Sequence, residues 1–228
     1  MKDRRAALRA AFPHTVPVFA GYCFLGMSYG ILMKTSGFPF WYPMLTSMVV
    51  FAGSMEFMLV NLLLGAFDLV HAFALTLMIN ARHLFYGLSM LERYKGLPRK
   101  SYLIFGLTDE TFSVNCANQA PEGVDPGDFY FFITLLNQSY WVLGAALGGI
   151  FGSFVRFNTE GLDFVMTALF VVILLEHLLT NRDKRSAFSG MALSLACLIW
   201  FGADKFMIPA MVMILTLLTF AARKEVQQ

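Results

Sequence analysis

Cysteine is scarce in this chain. Cys23, Cys116 and Cys197 lie far apart, each in an apolar stretch, so neither a disulfide framework nor a metal knuckle is expected. His14, His71, His83 and His177 lack the close spacing of a zinc site, and no HExxH pattern occurs. There is no Walker phosphate loop, so direct ATP hydrolysis is not expected. Charge is sparse as well: 14% of residues are charged against 57% hydrophobic, and the formal net charge is only +2. The charges sit between the apolar runs and read as topology signals, so no nucleic-acid partner is expected. No cofactor and no enzyme activity are expected either.

What fills the chain instead is apolar sequence. Segments at 13–33, 40–65, 69–91, 102–117, 129–154, 162–179, 187–201 and 206–222 are mostly hydrophobic. Each approaches the roughly 20 residues that a helix needs to cross a bilayer. The expected fold class is an all-α integral membrane protein, a helical bundle of 6–8 transmembrane segments forming one domain over 1–228. The opening "MKDRRAALRAAFPHTVPVFAG" reads as an uncleaved first span with a cytoplasmic amino end, because the apolar run outlasts a signal peptide.

Lys and Arg in short loops collect on the cytoplasmic side. The basic clusters are the amino end, "ERYKGLPRK", "NRDKR" and "RK" near the carboxyl end. All become cytoplasmic if 40–65 and 162–179 enter and return without crossing, and the acidic loop "NQAPEGVDPGD" then faces outward. Eight full crossings are the alternative. The first arrangement makes an inverted repeat of 13–91 and 129–201, with 101–117 linking and 206–222 terminal, and with broken or re-entrant helices. "GMSYG" at 26–30 resembles "GAALG" at 144–148, although small residues four apart also serve close helix packing.

Polar side chains within apolar runs are the candidates for function, since a charge near the bilayer centre costs at least ~2.5 kcal/mol. "TDETF" carries Asp109 and Glu110, which diverge by about 100° on a helix and so need different partners. "INARHLFYGLS" carries Asn80, Arg82, His83 and Tyr86. Arg82 and Tyr86 share one helix face and His83 another with Asn80. Arg82 suits a carboxylate, either of a solute or of Asp109 or Glu110, and His83 is a packing or a proton-transfer residue. In "FAGSMEFM" a break at Gly53 and Ser54 would expose backbone N–H groups to an anion, with Glu56 nearby as an amine contact or proton site. "NQSYW" offers Asn137, Gln138, Ser139 and Trp141 for helix packing or a polar solute. Glu176, His177, Asp204 and Lys205 read as boundary charges.

"FAGSMEF", "NARHLFYGLS" and "LTDETF" together resemble the AzlC/YgaZ family of bacterial branched-chain amino acid exporters, over about 16–141. One departure is Glu56, where the family usually has Gln. The resemblance implies a multi-pass permease of the bacterial inner (cytoplasmic) membrane. It would export valine, leucine, isoleucine and sometimes methionine, driven by the proton gradient, with a small AzlD/YgaH-type membrane protein as partner. The substrate-binding candidates are then Gly53, Ser54, Arg82, Tyr86, Asp109, Glu110 and Asn137. Those for proton coupling are Glu56, His83, Asp109 and Glu110, in an alternating-access cycle. The competing expectation is a channel or carrier for another small polar solute.

Overall fold

A computed structural model of the chain describes residues 4–66, 68–154, 171, 175, 184–202, 206, 209–210, 212–214 and 216–217. All regular elements among them are helical, and they fall in two compact units, Met1–Met166 and Thr167–Gln228. The first unit holds α1 (Arg4–Thr35), α2 (Tyr42–Val49), α3 (Gly53–Leu64), α4 (Leu69–Met90), α5 (Lys100–Phe105), α6 (Asp109–Ala117) and α7 (Pro126–Phe151). A 3-10 turn, Gly152–Phe154, follows α7. In the second unit, α8 (Arg185–Phe201) buries Cys197, whose Sγ lies 3.6 Å from Met213 Sδ. The expected sixth segment, 162–179, and Glu176, His177, Asp204 and Lys205 lie outside the described residues.

The frame of the first unit is the contact of α1 with α7, and glycine sets its closeness. A Cβ on Gly30 would stand 2.2 Å from Ala145 O, and one on Gly148 2.1 Å from Met27 O. Gly26 and Gly144 are similarly pressed, with 2.7 Å to Trp141 O and to Cys23 O. Without side chains in the way, the two backbones touch, the arrangement that maximises dispersion contact between helices in lipid. Gly26 meets Gly144 and Gly30 meets Gly148, so the helices run parallel. Ala11 clusters with Phe129 and Ile133 near both amino ends, while Lys34 lies over Gly152 at the other end. An inverted repeat of 13–91 and 129–201 would have set these helices antiparallel. The glycine stripes that suggested it are the two faces of a single contact.

Between these long helices the chain makes two hairpins, each a helix broken at half depth. α2 starts at the far end, where Gly149 faces Phe40 O, and descends until Gln138 Nε2 donates to Met48 O at 3.1 Å. After Val50–Ala52, α3 turns back, with Phe51 beside Tyr22 and Phe57 beside Tyr29, so it climbs alongside α1. The break falls just before Gly53, not at Gly53 and Ser54 as expected, and Phe51 takes a left-handed φ of +43°. Gly53 is the first residue of α3 because Trp141 leaves no room for a Cβ there: its ring carbon would be 2.9 Å away.

The second hairpin comes from the opposite end. Arg99, itself left-handed at φ +60°, anchors its base by pairing with Asp128 and lying 4.0 Å over the Phe131 ring. α5 rises beside α7 until Gly106, which packs against Thr134. α6 then returns: Asn137 contacts Thr111, and Tyr130 donates to Asn118 O lower down. The 102–117 stretch is therefore two helices, although sequence suggested one apolar segment. Arg93 closes α6 by donating to the carbonyls of Asn115, Cys116 and Asn118, the charge complement of a helix carboxyl end. α4, antiparallel to α3, links the hairpins. α1 with α2–α3, and α4 with α5–α6, thus form two like motifs of opposite orientation. The loop 118–125 lies at the same end as the amino terminus and 91–99, not at the opposite end, because α7 must start where α1 starts.

Gly30→Ala is expected to destabilise by roughly 1–3 kcal/mol, since the seam cannot open locally. Gly21→Ala, where no atom lies within 4 Å of the added carbon, is expected to be neutral. Thermal unfolding of the two purified variants, followed by circular dichroism, checks the contrast.

Candidate functional site

The two hairpin tips meet at half depth: the rings of Phe51 and Phe105 lie 6.4 Å apart. The helices that leave the tips, α3 and α6, both begin there. Each brings orphan N–H donors and the positive end of its dipole. Arg82 on α4 reaches both starts. Its Nη2 donates to Ser54 Oγ at 3.1 Å and pairs with Asp109 at 3.0 Å. Tyr86, one turn along, donates to the same carboxylate at 2.8 Å and stacks on Phe112 with ring centroids 4.4 Å apart. The pair is partly open, with side chains 34% and 26% exposed, so a solute could reach it.

Glu110 points elsewhere, as its helix position requires. It accepts from the Tyr22 hydroxyl at 2.7 Å, and Tyr22 also contacts Thr108 at 2.5 Å. Thr108 caps α6: its Oγ1 accepts from Thr111 N and touches the Thr111 hydroxyl at 2.9 Å. Asn137 Nδ2 donates to that hydroxyl at 3.1 Å, while its buried Oδ1 has no hydrogen-bond partner among the described residues. His83 packs beside Tyr86, with centroids 5.7 Å apart.

Glu56 is fully buried and takes no part in the open pair. Its carboxyl accepts from Ser47 at 2.6 Å, Trp141 Nε1 at 2.9 Å and Ala52 N at 3.2 Å. It ties α2, the N-cap of α3 and α7 together and holds the strained tip at Phe51. An amide fits equally: its oxygen can keep the Ala52 and Trp141 bonds while its NH₂ donates to Ser47, whose hydroxyl turns to accept.

Gly53, Ser54, Arg82, Tyr86, Asp109 and Glu110 thus gather at the tips, with Asn137 one hydrogen bond further in and Glu56 in a separate buried lock. Tyr22, Ser47, Thr108 and Thr111 belong to the same networks but were not singled out from sequence. Tyr22 lies in the glycine-rich "GYCFLGMSYG", which reads as packing. Thr108 alone had a signal, as the residue opening "TDETF".

Large apolar side chains cover the outside of the first unit, among them Phe24, Val70 and Phe73, each at least 65% exposed. Arg4–Thr35 and Pro126–Phe154 are long and apolar enough to cross a membrane. Charged groups gathered between broken helices inside such an apolar exterior define an α-helical membrane protein with a polar interior site. Residues 17–155 match the family model described as AzlC protein, and the chain belongs to the AzlC family. It is 58% identical over 215 residues to the branched-chain amino acid transport protein AzlC of Bacillus subtilis, covering 94% of this chain and 85% of that one. An uncharacterized membrane protein of Haemophilus influenzae is 42% identical, over 96% of this chain and 90% of its own. The inner membrane protein YgaZ of Escherichia coli is 25% identical over 71% and 69% of the two chains. No solved structure matches.

Glu56→Gln is expected to change stability by less than about 1 kcal/mol, because every hydrogen bond has a replacement. Glu56→Ala strands the donors of Ala52 and Trp141 and is expected to cost roughly 2–4 kcal/mol. Denaturation midpoints of the two variants in detergent distinguish a lock from a spectator.

Proposed function

We propose that the protein is a secondary transporter that exports branched-chain amino acids, with valine, leucine, isoleucine and methionine as substrates, across the cytoplasmic membrane. The observation that carries this proposal is Arg82, held between the first turn of α3 and the carboxylate at the start of α6. A zwitterionic amino acid has the same two charges as the Arg82–Asp109 pair. It can enter by exchange: its carboxylate takes Arg82 and the N–H groups near Gly53 and Ser54, and its ammonium takes Asp109 and Tyr86. Each protein charge trades one partner for another, so the desolvation cost is not incurred afresh. Phe51, Phe105 and Phe112 offer apolar contact to the side chain.

Export is driven by the proton gradient in this proposal, with Glu110 as the proton site and His83 beside the pair. The site opens alternately to either side as the two hairpins rock about the α1–α7 frame. A transporter that worked as an open pore would have no use for an ion pair closing its midpoint. The bundle spans the membrane several times with its amino end in the cytoplasm, where 91–99 and its basic residues lie. A small membrane protein of the AzlD/YgaH type completes the assembly, an element supported by the family resemblance alone.

Uptake of labelled leucine into proteoliposomes tests the substrate and the mechanism. Counterflow against unlabelled leucine is expected, as is stimulation by an imposed proton gradient. Arg82→Gln and Asp109→Asn are each expected to lower flux by on the order of tenfold or more while still inserting. Wild-type flux in both would remove this site assignment. Topology has its own check: in a cysteine-free background, Lys95→Cys and Glu122→Cys should label from the same side as each other, and Ser36→Cys from the opposite side.

A further inference from the structure

The first turn of α3 is held from two sides. On one side Arg82 donates to Ser54 Oγ at 3.1 Å. On another stands Trp141, from α7. A Cβ on Gly53 would meet three carbons of the Trp141 ring at 2.9, 3.2 and 3.6 Å, and the indole Nε1 donates to Glu56 at 2.9 Å. Gly53 and Glu56 lie three apart and share a helix face, so one indole touches α3 at its first residue and again a turn later. Ser54, about 100° around the helix from Gly53, is left to the open pair.

A ring end that could swing aside would set nothing, but this one is pinned. Trp141 is 4% exposed, Tyr22 packs edge-on against it with centroids 5.4 Å apart, and Glu56 holds its nitrogen. The backbone is fixed as well, since Trp141 O lies in the glycine seam, 2.7 Å from where a Cβ on Gly26 would stand. The start of α3 is therefore spaced from the α1–α7 frame by a close-packed ring with no room to give. Glu56 carries the constraint to the N-cap, because its carboxyl also accepts from Ala52 N at 3.2 Å.

We propose that Trp141 is a positioning residue of the transport site: through Gly53 and Glu56 it fixes the place and direction of the α3 N–H groups that receive the carboxylate of the amino acid. The inference rests on the transport function proposed above and gives the carboxylate end of that site a reference point outside both hairpins. The contact lies at the tip, so the arms of the hairpin can swing while those N–H groups stay aimed at one place. It also accounts for glycine at 53, a poor helix former, because any side chain there would push the first turn off its spacer.

Calorimetric titration of the purified full chain with leucine and with leucinol, which has the ammonium and the side chain but no carboxylate, tests the assignment. The wild type is expected to prefer leucine. Gly53→Ala crowds the ring and Trp141→Phe leaves a gap, so each is expected to weaken leucine by about tenfold, the worth of one hydrogen bond to a charged group, and leucinol by much less. In the double variant the methyl fills the space that the shorter ring vacates, and most of the preference for leucine should return. A double variant no better than the worse single one overturns the inference and leaves the transport reading intact. Equal losses for the two compounds in Trp141→Phe do the same, whether or not Gly53→Ala folds. A wild type that binds neither compound, or both alike, overturns the assigned transport site and this inference with it.

Discussion

A helix that breaks inside an apolar environment must find partners for the backbone groups it frees, because no bulk water supplies them. Both hairpins answer that constraint with side chains. Glu56 accepts from Ala52 N and Thr108 accepts from Thr111 N, while Arg82 holds the side chains of Ser54 and Asp109 at the two starts. A polar residue that sequence marks as a candidate for function can therefore serve the fold instead, and Glu56 is the clearest case.

The division of labour among the three acids follows from their surroundings. Glu56 has three donors and no exposure, which makes it a structural tie. Asp109 has a cation and a phenol and remains partly open, which suits exchange with a charged solute. Glu110 has the Tyr22 phenol as its side-chain partner and faces away from the open pair, which keeps it apart from the exchange at Asp109.

Much of the site was legible because burying charge is costly: Asp109, Glu110, Arg82 and Glu56 stood out against apolar runs, and their divergence on a helix predicted separate partners for the two neighbouring acids. The break near Gly53 was legible to within a few residues from glycine alone. The second break was not, since Gly106 reads as an ordinary packing glycine, and only contacts with Thr134 and Asn137 reveal that α6 turns back. The direction of α7 was misread for a related reason. A glycine stripe records how close two helices come but not whether they run together or opposed, so it gave no warning that 118–125 shares an end with the amino terminus. Tyr22 and Thr111 carry no charge, and their importance arises only from what they touch.

The seam between α1 and α7 carries one more consequence. Successive helical residues turn by about 100°, so inserting or deleting one residue within 23–34 or 141–152 would swing the bare face away from its mate. Exposed side chains on these two helices are free to drift, whereas their length along that stretch is not. Divergence in this part of the chain should therefore be read as substitutions and not as gaps.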